Sequence, residues 1–296
     1  MSNKKRWLTR NKQEIFLFLL PVLILLISLS IYPVIRGIYL GFTKYKVGRG
    51  SGFNGLENYF QIYESGYLIK SFENITFMVA VSVICIYLLS ISLSLLLNGR
   101  IPLRGLWRTL LIIPWAVPPV AKIAMWKEIF KTMGGELNYY LLQLGIISER
   151  VAWRADAKTA IYVVITVFIW GCIPFVTLSF LSTLQQIPKD INEAAIIDGA
   201  TPLQIFRYVT LPYLNQTTAI SMSLVIIWIM NDFATQYGLG GPGTSTLTPM
   251  VEAYRQGFRY GNFGYASAYG NMLIVVVSVI LFIYIRAMNK RSKGVN

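Results

Sequence analysis

Histidine is absent from all 296 residues, and with it go the usual proton shuttle, the commonest zinc ligand and the base of a Ser-His-Asp arrangement. The two cysteines, Cys85 and Cys172, fall inside long apolar runs, where a thiol serves as a small packing group rather than half of a disulfide. No GxxxxGK[ST] segment occurs, so nothing in the chain can cradle a nucleotide phosphate as a P-loop does. No catalytic set and no metal set can be assembled, and the chain is expected not to be an enzyme. One polar cluster could still make specific contacts. WIMNDFATQY places Trp228, Asn231, Asp232, Gln236 and Tyr237 near the end of an apolar run. A carboxylate at membrane depth is expensive and faces a cavity or a partner, and carboxylates, amides and flat rings are what sugar hydroxyls and sugar faces need. The same residues also suit a plain interfacial role, with Asp232 in water and Trp228 and Tyr237 as belt aromatics.

The second informative segment, Gln186 to Leu214, reads QIPKDINEAAIIDGATPLQIFRYVTLPYL. It is too polar to cross a membrane and predicts two short helices joined by a sharp turn. Asp190 and Glu193 have capping-box spacing. Thr201-Pro202-Leu203-Gln204 supplies an N-cap, a proline at the first helical position and a glutamine at the third. Gly199 stands between the helices, where a residue free to take positive φ ends the first of them. Ile205, Phe206 and Val209 share one face of the second.

The elements that must carry these groups follow from composition. Hydrophobic residues make up 55% of the chain and charged residues 14%, with a mean hydropathy of +0.54, a balance no soluble core could bury. About 20 mainly apolar residues cross a bilayer, and six stretches qualify: roughly 15–36, 75–97, 106–126, 158–181, 213–233 and 266–286. The fold class is therefore an all-α membrane protein. One membrane domain (15–286) is expected between a cytoplasmic N-terminal tail (1–14) and a cytoplasmic C-terminal tail (287–296). The basic start resembles a signal peptide, but the apolar run is too long and no small-residue cleavage site follows, so it reads as a retained helix.

A net charge of +14 would suggest nucleic acid in a soluble protein. Here the cations cluster where helices meet water, so no nucleic acid is expected. Their count on the two sides is nearly even. The short basic ends and the acid-rich opposite loops (Glu57, Glu64, Glu73, Glu128, Glu136, Glu149, Asp156, Glu252) favour both termini in the cytoplasm. The third stretch is unusual, because IIPWAVPPV puts Pro114, Pro118 and Pro119 in an apolar run. Each proline deletes a donor and turns the preceding residue from helical angles, and such a break survives in lipid only where other helices or water satisfy the freed carbonyls. A bent helix beside a cavity is predicted.

The segment from Gln186 carries a family resemblance. Glu193-Ala194-Ala195, then Asp198-Gly199-Ala200, then Phe206 and Leu211-Pro212 resemble the EAA loop of binding-protein-dependent importer permeases, of the maltose, glycerol-phosphate and multiple-sugar type. FNGLENY at Phe53 to Tyr59, Met125-Trp126-Lys127, the turn Gly240-Gly241-Pro242-Gly243 and Gly264-Tyr265-Ala266 agree, and together look like the first permease of a pair. The resemblance implies a coupling-helix loop (about 186–214) between the fourth and fifth of six spans, docking into a separate ATPase. Glu193, Ala194, Ala195, Asp198, Gly199, Ala200, Phe206 and Pro212 would couple the ATPase to the spans. It implies a second permease subunit, two ATPase subunits that bind ATP and Mg, an extracytoplasmic solute-binding protein, and a location in the lipid of a bacterial plasma membrane. No cofactor is expected on this chain. The solute would be a sugar or oligosaccharide, with polyol and glycerol phosphate as alternatives. The rival reading is an ion-coupled secondary transporter, disfavoured by the polar helix pair and by the scarcity of carboxylates in the spans.

Overall fold

The computed structural model describes the backbone of residues 2–293 and the side chains of residues 14–288. In chain order it runs α1 (Ser2–Leu26), α2 (Tyr32–Gly41), β1 (Thr43–Lys44), β2 (Gly52–Phe53), α3 (Glu57–Glu64), α4 (Tyr67–Asn98), α5 (Arg104–Ala116) and α6 (Pro119–Ile129). Next come α7 (Glu136–Gln143), α8 (Ala160–Leu184), α9 (Lys189–Ile197), α10 (Pro202–Ile205), α11 (Leu211–Asn231), α12 (Phe233–Leu239), α13 (Pro249–Tyr254) and α14 (Phe263–Lys293). The chain separates into two compact units, Met1–Glu64 with Ala253–Met272, and Ser65–Glu252 with Leu273–Asn296.

Among the described residues, five helical stretches are long and apolar enough to span: Glu14–Gly41, Tyr67–Asn98, Ala160–Leu184, Pro202–Asn231 and Phe263–Met288. The sixth is α5 with α6, bent by 97° at the break. Val117 and Pro118 take extended ψ values of 123° and 144°, because each precedes a proline that forbids it the helical region. The expected bend is therefore present at Pro118-Pro119, whereas Pro114 sits inside α5 without ending it.

In the first unit, helix begins at Ser2 and continues through a π-helical turn at Ile27–Ile31, well ahead of the expected start at 15. Leu17 and Phe18 are 72% and 85% exposed, the surface a lipid-facing helix presents. Residues 41–64 hold the antiparallel pair β1 and β2, with Thr43 opposite Phe53, and then α3. Asn58 of FNGLENY is buried and donates through Nδ2 to the carbonyls of Gly41 and Thr43, both at 2.9 Å. It thereby satisfies an acceptor left free where α2 ends.

The second unit is packed around α4, α8 and α11. Ile75, Met78, Ile86, Val164, Val176, Phe180, Leu214, Val225 and Ile229 are buried in one cluster. On α4 the buried stripe alternates these with Ser71, Ser82, Ser90 and Ser94, small residues that let helices approach closely where burial from water gives no driving force. Thr183 and Thr217 join α8 to α11 by a 2.6 Å hydroxyl contact, and Tyr284 of α14 donates to the carbonyl of Thr218 at 3.2 Å.

Candidate functional site: an exposed helix pair and a cavity at the broken span

The pair begins where α8 ends. Pro188, at φ −59° and ψ 134°, is the N-cap of α9, with no side-chain cap. This corrects the expected Asp190–Glu193 capping box: starting the helix at Lys189 puts Asp190 at its second position, where its charge complements the dipole but caps nothing. Glu193, Ala194, Asp198 and Gly199 are exposed, and Ala195 and Ala200 half-buried. Gly199 has φ +79°. Its amide donates to Ile196 O at 3.0 Å and that of Ala200 donates to Ala195 O at 2.9 Å, the two bonds of a Schellman turn. Thr201 and Gln204 then close the predicted capping box, Gln204 Oε1 accepting from the Thr201 amide at 2.7 Å and Thr201 Oγ1 from the Gln204 amide.

The second helix differs from expectation. Instead of a separate short helix, α10 runs through a π-helical turn, Phe206–Thr210, into α11, so the second helix of the pair and the fifth span form one helical stretch. Pro212 explains the widened turn, since it lacks a donor and its ring crowds the preceding carbonyls; the π-turn just ahead of it lets the helix continue. Phe206 and Val209 pack toward the core of the unit, so Phe206 holds the pair in place rather than forming its tip. The tip is apolar and bare: Ile196, Ile197, Leu203 and Tyr208 are 62%, 84%, 73% and 70% exposed. At its base, with its amide oxygen turned to them, Gln185 accepts from Arg104 at 3.0 Å and Arg108 at 2.6 Å. The root of the pair is thus tied to the start of the broken span.

The bend in that span opens a cavity of about 220 Å³ whose wall includes Pro114, Trp115, Lys122, Cys172, Trp228 and Asp232. The sequence cluster is divided by the fold. Trp228, edge-on to Phe175 at 4.9 Å between centroids, and Asp232 both reach the cavity. Asp232 ends α11 and caps α12, its Oδ1 accepting from the Thr235 amide at 2.8 Å and its Oδ2 from the Thr235 hydroxyl at 2.6 Å. Gln236 is buried, donating to Ile229 O at 2.6 Å and accepting from the Thr248 hydroxyl; it latches the chain rather than lining the cavity. Asn231 donates to Ile227 O at 2.8 Å and Tyr237 stacks on Phe233, both outside the cavity wall. Lys122 and Trp115 were missed by sequence reading. The available signal was a lysine three residues after a proline pair inside an apolar run.

Beyond α12, Asn74 of α4 donates to the carbonyls of Thr244 and Leu247 at 2.8 and 2.9 Å and pins the glycine-rich loop. A side chain at Gly241 would collide with Ala160, so that glycine serves an internal close approach.

The sequence profile of the binding-protein-dependent transport system inner membrane components matches residues 86–294. The chain belongs to this family. It is a multi-pass inner-membrane permease component of an ATP-driven import system. A probable ABC transporter permease protein of Sinorhizobium fredii is 34% identical over 270 residues, covering 89% of this chain and 86% of that protein. A trehalose/maltose transport system permease protein of Thermococcus litoralis is 30% identical over 275 residues, 92% of each chain. Among solved structures, a chain of a bacterial ABC transporter involved in import of the acidic polysaccharide alginate superposes with a TM-score of 0.84, at 21% identity over 97% of this chain and 99% of that one. That likeness establishes a shared permease fold.

Proposed function

We propose that this permease forms half of the translocation pathway for a sugar or oligosaccharide delivered by an extracytoplasmic binding protein, with a second permease subunit as its partner. Two separate ATPase subunits bind ATP and Mg and drive it. The solute class is supported by relatives named for trehalose/maltose and for arabinooligosaccharides, and by two indoles in the cavity wall that offer apolar faces to sugar rings.

The single observation that carries the coupling role is the bare apolar tip of the helix pair, Ile196, Ile197, Leu203 and Tyr208, on a polar segment between two spans. An exposed apolar patch of this kind marks a protein contact. Ala194 and Ala195 leave room at that contact, Glu193 is its polar anchor and Asp198, Gly199 and Ala200 set its angle. Pro212 carries the pair into the fifth span. ATPase closure would move the pair, and through Gln185 with Arg104 and Arg108 the broken span. Both termini, with the tails 1–14 and 287–296, and the pair itself share one face, since an even number of crossings separates them, and the short basic ends assign that face to the cytoplasm. The ion-coupled alternative finds no supporting observation: Asp232 is the acidic residue at the cavity, and both its oxygens already accept from Thr235.

The test is co-purification. Gly199→Pro removes the amide that donates to Ile196 and forbids positive φ, and is expected to strip the ATPase subunits from the extracted complex and abolish uptake. ATPase retained at wild-type levels in this variant would end the coupling assignment.

A further inference from the structure

Lys122 is the group in the second unit that the transport scheme leaves unexplained. It stands on α6 one turn past the break in the third span and lines the cavity with Trp115, Trp228 and Asp232. Its ammonium nitrogen lies 3.7 Å from where a side chain at Gly171 would begin, so the lysine head rests over backbone that carries no Cβ. Among the described residues no hydrogen bond or ion pair within 4.0 Å is made to it. Asp232, the carboxylate of the same wall, has each oxygen engaged by Thr235 and is held at the N-terminus of α12. The cavity wall thus presents an ammonium with no ion-pair partner within 4.0 Å, a carboxylate whose oxygens are turned onto Thr235, and two indoles. Trp115 is 60% and Trp228 37% exposed.

An unpaired ammonium inside a membrane span is costly and is tolerated where it serves a pathway. Of the groups a saccharide can carry, a carboxylate is the one whose charge complements an ammonium. We infer that this cavity is a binding site for an acidic saccharide, Lys122 meeting the solute carboxylate while the indoles of Trp115 and Trp228 pack on its sugar rings. Carboxylate and ammonium form the charge-assisted bond that is stronger and shorter than a neutral one, and the low-polarity surroundings strengthen it further. The inference rests on the sugar-importer reading and narrows its solute.

The experiment uses the purified permease–ATPase complex in nanodiscs, with digalacturonate and its neutral counterpart digalactoside as probes in equilibrium binding. The wild-type complex is expected to bind the acid about tenfold or more tightly than the neutral sugar. Lys122→Met should abolish that preference, and Lys122→Arg should keep it. Equal binding of the two probes by the wild type, or an acid preference that survives Lys122→Met, overturns the inference. ATPase activity of the Lys122→Met complex, stimulated by its loaded binding protein, separates the two claims. If stimulation persists while the acid preference proves absent in the wild type, the importer reading stands and the acidic-saccharide assignment falls. If no ATPase accompanies even the wild-type chain, the importer reading itself fails.

Discussion

Replacing Gly199 isolates backbone conformation from side-chain bulk. Its φ of +79° is left-handed, and a Cβ built there meets no atom within 4 Å. In the permease a substituent therefore causes no clash and only the backbone angle is penalised. For an ordinary L-residue that angle costs about 1–2 kcal/mol, a factor of roughly 5–30 in the population of correctly bent pairs. Asparagine tolerates the region far better than most residues, and a β-branched side chain tolerates it worst. The expected order is Gly199→Asn mildest, Gly199→Ala weaker in ATPase binding by about 5–30-fold, and Gly199→Val weaker still. The assay is the dissociation constant of the purified ATPase for the permease in nanodiscs, read beside the thermal stability of each variant. If asparagine and valine weaken attachment equally, volume at the interface governs rather than φ. If alanine changes nothing, the bend does not set the contact.

Two other perturbations follow from the hydrogen bonds. Asp232→Ala removes the cap of α12 and should cost about 1 kcal/mol, whereas Asp232→Asn keeps an acceptor for the Thr235 amide and should cost a few tenths, as thermal unfolding of the two variants would measure; equal losses would point to the charge rather than the cap. Asn74→Ala strands the carbonyl of Leu247, leaves that of Thr244 only the Leu247 amide and should cost about 1–3 kcal/mol, visible as faster hydrogen exchange and protease cleavage within residues 240–248; an unaltered loop would mean that Asn74 does not hold it.

What the sequence made legible were features decided within a few residues of chain. Pro118 and Pro119 constrain their own neighbours, so the break in the third span could be read directly, and its 97° bend agrees. Gly199 and the Thr201–Gln204 box are equally local. The Asp190 cap failed because a second local signal, Pro188, started the helix two residues earlier. The separate second helix failed because the π-turn before Pro212 absorbs what a proline normally breaks. The cavity was legible only in part. Trp228 and Asp232 were noticed for their chemistry, but which of their neighbours share the wall depends on how α5, α6, α8 and α11 pack. Gln236, chemically suited to a sugar, is turned into the core by its bonds to Ile229 and Thr248, and Lys122 enters the site by a bend between helices rather than by proximity in the chain.

The decisive measurement is site-directed cross-linking from Ile197, which is 84% exposed at the tip of the pair. In a background with Cys85→Ala and Cys172→Ala, an Ile197→Cys permease carrying a short thiol cross-linker should join covalently to the ATPase subunit and stay unreactive toward membrane-impermeant maleimide added outside intact cells. Labelling from outside, with no ATPase adduct, would place the pair on the wrong face of the membrane and contradict the account.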